Sequence, residues 1–149
     1  MSFAFTENQR RAIEHRGGAL LVSAAAGSGK TRVLTERLLS YVADPDAPVD
    51  IDRFLVITFT RAAAAELRSR IMDALSALAA QRPGDARIRR QQTLCCRAPI
   101  GTIHSFCSGL IREYSQVLGV SPGFTVLDED RAETMKQSVA SRLLDRRYA

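Results

Sequence analysis

The sequence is poor in lysine and cysteine and contains no long apolar run. Lys30 and Lys136 are its only lysines in 149 residues, so nearly all of its 21 basic side chains are arginine. The net charge of +5 admits a polyanionic partner without establishing one. The lack of any stretch of about 18 apolar residues excludes a membrane-spanning helix, and no membrane partner is expected. The opening, Met1-Ser2-Phe3-Ala4-Phe5-Thr6-Glu7, lacks a basic leader followed by an apolar segment. That predicts no signal peptide and a cytoplasmic protein. The three cysteines, Cys95, Cys96 and Cys107, are odd in number, and the adjacent pair fits no zinc spacing. They read as reduced thiols. Repeats and low-complexity tracts are also missing. A hydrophobic content of 46% and a charged content of 25% are ordinary for one globular domain with a core of its own.

Strand and helix patterns alternate along the chain. A helix is predicted over residues 6–15, ended by Gly17-Gly18. The apolar run Ala19-Leu20-Leu21-Val22-Ser23 reads as a buried strand, and a helix follows over 30–42. A second strand is predicted over 54–59. The next helix, 62–80, carries Leu67, Ile71, Leu75 and Leu78 at helical spacing, a face built for a core. A basic helix over 87–97 and a short strand over 99–102 come next. A helix over 104–118 is expected to bury Phe106, Leu110, Tyr114 and Val117. Residues 119–123 form a linker, and a last helix over 129–148 sets Ala132, Met135, Val139 and Leu143 on one face. The alternation predicts an α/β fold with a parallel sheet covered on both sides.

Between the first predicted strand and its helix lies Ala24-Ala25-Ala26-Gly27-Ser28-Gly29-Lys30-Thr31. Strand, glycine-rich turn and helix in that order form a phosphate-binding loop. Small residues let successive backbone amides curl around phosphates, and the helix N-terminus adds partial positive charge. One of the two lysines stands where a triphosphate requires it. Lys30 would neutralise the β- and γ-phosphates, and the Thr31 hydroxyl would hold Mg²⁺. Ala24 replaces the glycine with which the common pattern begins.

Four segments in order resemble the UvrD/Rep-type superfamily 1 helicases. Phe5-Thr6-Glu7-Asn8-Gln9-Arg10-Arg11-Ala12-Ile13 is similar to the Q-motif, in which glutamine reads the adenine edge through a paired donor and acceptor. The same residues also satisfy a capping box, with Thr6 as N-cap and Gln9 three positions on. The phosphate loop is the second segment. The arginine that follows it in the family, here Arg32, can stack on adenine or remain a solvated first-turn side chain. The third, Ile57-Thr58-Phe59-Thr60-Arg61-Ala62-Ala63-Ala64-Ala65-Glu66-Leu67, resembles motif Ia, with Arg61 where many relatives have asparagine. A strand end passing into a helix offers amides and hydroxyls to DNA phosphate, and Phe59 offers a ring for a base or for the core. The fourth, Gly101-Thr102-Ile103-His104-Ser105-Phe106-Cys107, resembles a segment that touches single-stranded DNA. There Thr102, His104 and Ser105 are the polar contacts, and Phe106 and Cys107 are expected in the core. His104 could equally serve as a helix cap.

Taken with "RRQ" and "SPGFTVLDE", these segments look most like AddA-type helicase–nuclease subunits, which process double-strand breaks. That resemblance implies a RecA-like P-loop NTPase fold, three-layered α/β/α but incomplete. Residues 1–118 would be the N-terminal part of ATP-binding domain 1A, and 119–149 a linker with the first helix of a 1B insertion. It further implies ATP and Mg²⁺ as cofactors, single-stranded or duplex-end DNA as substrate, and an AddB-like partner subunit. The family's Walker B Asp-Glu pair, its γ-phosphate arginines and its nuclease domain are not legible. Asp128-Glu129 follows an apolar run, but Asp128 reads better as the N-cap of the last helix. The chain is therefore expected to be a fragment without turnover of its own. A UvrD/Rep-type helicase without nuclease, an unrelated P-loop phosphotransferase and a non-enzymatic interaction domain are the competing readings.

Overall fold

Helix starts are set by short polar side chains. The computed structural model describes residues 4–148; Met1, Ser2 and Phe3, on which the expectation about a signal peptide partly falls, and Ala149 lie outside the described residues. Thr6 Oγ1 accepts the Gln9 amide at 3.3 Å and Gln9 Oε1 accepts the Thr6 amide at 2.9 Å, which closes a capping box on α1 (Glu7–Glu14). Thr60 caps α3 (Arg61–Gln81) through the Ala63 amide at 3.1 Å, and Asp85 caps α4 (Ala86–Arg97) through the Ile88 amide at 3.1 Å. Asp128 accepts the Arg131 amide at 2.9 Å at the start of α7 (Glu129–Tyr148), the capping role expected of it. No side chain caps α2 (Lys30–Val42); Gly29 precedes it in the left-handed region, at φ 83°.

The sheet is a parallel pair. β1 (Val56–Thr58) and β2 (Ile100–Thr102) run in register, Val56 beside Ile100 and Thr58 beside Thr102. A parallel pair needs a long crossover, and α3 and α4 supply it. The core forms where this pair meets the helices. Leu38 and Val42 of α2, Leu67, Ile71 and Leu75 of α3, Ile88 and Cys95 of α4, and Val56 and Ile100 of the strands are all buried together. Leu67, Ile71 and Leu75 thus take the places their spacing predicts, and Leu78 packs partly buried at the edge. A short 3₁₀ turn (Ile51–Arg53) adds Ile51 to the same cluster. Buried Gln91 accepts the Ile51 amide at 2.9 Å and donates to Asp50 at 2.7 Å, so its amide is satisfied away from water.

Several expectations are corrected. Residues 19–23 form no strand and are not buried; Leu21 is 94% exposed. A strand exists only through a ladder to a neighbour, and an apolar run alone does not supply one. The predicted strand over 54–59 shortens to Val56–Thr58, because the 3₁₀ turn takes the chain up to Arg53 and Thr60 already caps α3. The single helix expected over 104–118 is divided at Tyr114 into α5 (Ile103–Glu113) and α6 (Ser115–Leu118). Leu110, Tyr114 and Val117 are exposed, as are Met135, Val139 and Leu143 of α7. Ala132 is half-buried. An amphipathic pattern marks a face fit for burial but does not provide its cover.

The chain divides into two compact units, residues 1–107 and 108–149. In the second, Gly119 ends α6 at φ 65°, the Val120 amide returns to the Ser115 carbonyl at 3.0 Å, and Arg112 stacks on Phe124 at 4.9 Å. Among the described residues, no helix is long and apolar enough to cross a membrane.

Candidate nucleotide and nucleic-acid site

Two groups of the singled-out residues are each assembled locally. The first is the loop before α2. Gly27 and Gly29 both take positive φ, 76° and 83°, which lets residues 26–29 turn sharply into the helix. The first helical hydrogen bond runs from the Val33 amide to the Gly29 carbonyl at 3.0 Å. The amides of Lys30, Thr31 and Arg32 therefore precede the intrahelical ladder and point out of the helix start, the geometry that suits an anion. Lys30 is exposed, and its ammonium folds back on the loop, donating to the Ala24 carbonyl at 2.8 Å and the Ala25 carbonyl at 2.7 Å. Ala24, Ala25, Ala26, Gly27 and Ser28 are exposed, as is Thr31, whose carbonyl accepts the Thr35 hydroxyl at 3.0 Å. Amides, an ammonium and a hydroxyl at one helix start are a donor set fitted to a polyphosphate with its magnesium ion. Among the described residues no cluster of His, Cys, Asp or Glu could hold a metal by itself.

Gln9 meets this loop from α1. While Oε1 completes the capping box, Nε2 donates to the Ser28 carbonyl at 3.0 Å. Capping and loop contact are thus simultaneous uses of one amide. Gly29 belongs to the same contact: a Cβ there would stand 3.4 Å from Gln9 Nε2, at a φ that side chains avoid. Arg32 is half-buried and its guanidinium stacks on Phe5 at 4.1 Å. A cleft of about 340 Å³ opens between α1 and the loop, lined by Thr6, Gln9, Ala12, Val22, Ala24 and Lys30.

The second group stands at the C-terminal ends of the paired strands. Register places Thr58 beside Thr102, so the segments that follow them emerge as neighbours. Phe59 is fully exposed, and Thr60 and Arg61 are exposed at the start of α3. The alternative in which Phe59 fills the core is overturned: the chain turns outward between the end of β1 and the Thr60 cap. Thr58 donates its hydroxyl to the Thr60 carbonyl at 3.0 Å, which fixes that turn. Thr102 is buried; its Oγ1 accepts the Ser105 amide at 3.2 Å, and Ser105 Oγ donates to the Thr102 carbonyl at 2.7 Å. Gly101 makes room for this closure, since a Cβ there would lie 2.5 Å from Ser105 Oγ. Thr102, not His104, therefore caps α5, and His104 is left exposed on the first turn. Phe106 is half-buried and Cys107 is exposed, so Cys107 leaves the core to which it was assigned.

Sequence reasoning missed the arginines that hold these elements. Arg68 donates to the Cys95, Ala98 and Ile100 carbonyls at 2.6, 3.1 and 2.9 Å, tying α3 to the end of α4 and to β2. Its one signal was its place beside Leu67, at the border of the apolar stripe. Arg87 donates to the Val42 carbonyl, and Arg90 lies 3.8 Å from Asp50. Part of the basic helix expected over 87–97 therefore serves contacts within the fold.

A family description, the UvrD/REP helicase N-terminal domain, matches residues 5–148. The chain is 49% identical over 144 residues to a Desulforamulus reducens protein named as an ATP-dependent helicase/nuclease subunit, covering 97% of this chain and 12% of that relative. Proteins of the same name from Pelotomaculum thermopropionicum and Geobacillus kaustophilus are 46% and 47% identical, over 100% and 97% of this chain and again 12% of their own length. The chain thus spans about an eighth of the proteins it matches. With the loop ahead of Lys30, the glutamine beside it and the motif Ia turn all inside the matched span, the chain belongs to the UvrD/REP helicase N-terminal domain family.

Proposed function

We propose that this chain is the nucleotide-binding N-terminal part of an ATP-dependent DNA helicase–nuclease subunit of AddA type that works on broken DNA ends. In the whole protein, ATP hydrolysis would drive movement along single-stranded DNA, beside a second subunit of AddB type. The observation that carries this reading is the loop itself: Gly27 and Gly29 at positive φ, first-turn amides leading into α2, and Gln9 hydrogen-bonded to the loop at Ser28. Residues 1–118 are read as the start of a RecA-like α/β/α layer and 119–149 as the lead into a helical insertion. The unpaired apolar run 19–23 would then be a strand whose ladder partners lie elsewhere in the protein.

Residue roles follow from position. The amides at the start of α2 cradle phosphates, Lys30 exchanges its two carbonyl contacts for phosphate oxygens, and the Thr31 hydroxyl serves a magnesium ion. Magnesium would supply charge neutralisation between the terminal phosphates. Gln9 Nε2, on leaving the Ser28 carbonyl, offers an adenine its donor; Arg32, whose guanidinium stacks on Phe5, would offer the base a planar face. Phe59 offers a ring to an unpaired base, and Thr58, Thr60, Arg61, Thr102, His104 and Ser105, at and just after the neighbouring strand ends, would supply the polar contacts.

Titration of the chain with Mg-ATP and with oligo-dT, at two salt concentrations, tests the proposal. Both ligands should bind, and Lys30→Ala should weaken Mg-ATP by about 10²-fold or more while sparing oligo-dT, because it removes a charge-assisted contact in the cradle. The chain alone should not turn over ATP. Nucleotide affinity without any for single-stranded DNA would instead favour a small-molecule phosphotransferase, and robust turnover abolished by Lys30→Ala would remove the fragment reading.

A further inference from the structure

α1 is held near both ends, by Gln9 on the loop at Ser28 and by side chains of α2 at its C-terminus, and the second fastening lies away from the loop. The C-terminal carbonyls of α1 have no partners within the helix. Here α2 supplies them from residues 37, 40 and 41, which share one face. Arg37 Nη1 donates to the Ala12 carbonyl at 2.6 Å, and Tyr41 donates to the His15 carbonyl at 3.4 Å. Arg16 donates to the Ile13 carbonyl at 2.8 Å and to Ser40 Oγ at 2.9 Å. Both guanidiniums lie against the Tyr41 ring, Arg16 at 4.1 Å and Arg37 at 5.4 Å, and Arg37 also donates to the Tyr41 hydroxyl at 3.1 Å. Two positive charges at the negative end of a helix dipole strengthen the grip.

We propose that Arg37 is a positioning residue for base recognition: it holds α1 along α2 so that Gln9, at the opposite end of α1, stays against the loop. Arg37 stands seven residues after Lys30, roughly 10 Å along the helix, too far to serve the phosphates itself. Its influence reaches the site only through α1. Gln9 sits three residues before Ala12, so the carbonyl that Arg37 holds and the amide that meets Ser28 are one helical turn apart on a rigid element. The inference deepens the adenine role proposed for Gln9 and rests on it.

The test compares Arg37→Met, Arg37→Lys and Gln9→Ala with the parent in the full chain, measuring affinity for Mg-ATP and for Mg-tripolyphosphate. Arg37→Met should weaken Mg-ATP about tenfold and leave tripolyphosphate within about twofold, since α1 loses its charge-assisted strap at Ala12 and Gln9, which it positions, serves the base and not the phosphates. Arg37→Lys should restore most of the difference, and the Gln9→Ala, Arg37→Met pair should be no worse than Gln9→Ala. Equal losses for both ligands would reduce Arg37 to a general stabiliser and overturn the inference, as would unchanged affinity for both. Hydrogen exchange without nucleotide is the second readout. Arg37→Met should speed exchange in residues 7–14 and 24–31 and leave α3 and α4 as they were; unchanged exchange in α1 overturns the inference. A parent chain that binds neither ligand would sink the nucleotide reading, and the exchange comparison would still decide the positional one.

Discussion

Arg68 sits at the border of the α3 stripe, with Leu67 buried on one side of it and solvent on the other. Its stem follows the apolar surface while the guanidinium turns inward onto carbonyls at the end of α4 and in β2. Those carbonyls lie at the end of α4 and the start of β2, where the regular ladders are incomplete; that of Ala98 also accepts the Ile100 amide at 2.8 Å. An arginine satisfies several acceptors at once because its donors are fixed in a planar fork. Arg68→Met keeps most of the apolar stem and removes every donor. Urea denaturation should then show a loss of roughly 2–4 kcal/mol, the range expected when partly buried carbonyls lose charged partners. A loss under about 0.5 kcal/mol would place this residue with ordinary surface substitutions. The thiols divide at the same scale: burial pushes the Cys95 thiol above its ordinary range, which keeps it protonated and unreactive, whereas Cys96 and Cys107 are exposed.

Elements were legible wherever local chemistry suffices. Caps at Thr6 and Asp128, the glycine turn before Lys30 and the stripe of α3 depend on residues a few positions apart, so pattern alone located them. What failed needed a distant partner. Residues 19–23 have the composition of a strand but no ladder, and of the faces predicted for α5 and α7 only Phe106 and Ala132 are even half-buried, so most of the burial inferred from pattern was wrong there. The candidate site divides in the same way. The loop and the strand ends could be placed from motifs, while the Gln9–Ser28 contact, the Arg68 clamp and the exposure of Cys107 depend on packing between elements. This contrast gives a paired prediction. Leu75→Ala opens a cavity in the centre of the core and should cost about 2–5 kcal/mol. Leu21→Ser replaces an equally apolar residue that is 94% exposed and should change stability by about 0.5 kcal/mol or less. Thermal or urea unfolding of the two variants side by side checks it; a large loss at Leu21 would mean that residues 19–23 are paired in solution, by a second copy of the chain.

For the whole molecule, the net charge of +5 is not all available to a polyanion. Arg37, Arg68 and Arg87 donate to backbone carbonyls, Arg16 grips the end of α1, and Arg70 pairs with Glu66 at 2.5 Å. Affinity for DNA depends on which arginines stand free over a phosphate path, not on the total. On the reading above, that path runs past Phe59 and Arg61 at the strand ends, and the exposed arginines of α4 lie on a solvated helix face. Each phosphate neutralised on a single strand contributes about 0.7 to the slope of log K against log salt. Arg61→Ala should therefore lower that slope by about one phosphate for oligo-dT, and Arg89→Ala with Arg97→Ala should leave it unchanged within about 0.3. Binding isotherms at four or five salt concentrations separate the two cases. If the α4 pair lowered the slope by about 1.4 while Arg61→Ala did nothing, the strand would follow the basic helix, and the DNA path proposed at the ends of β1 and β2 would have to be abandoned.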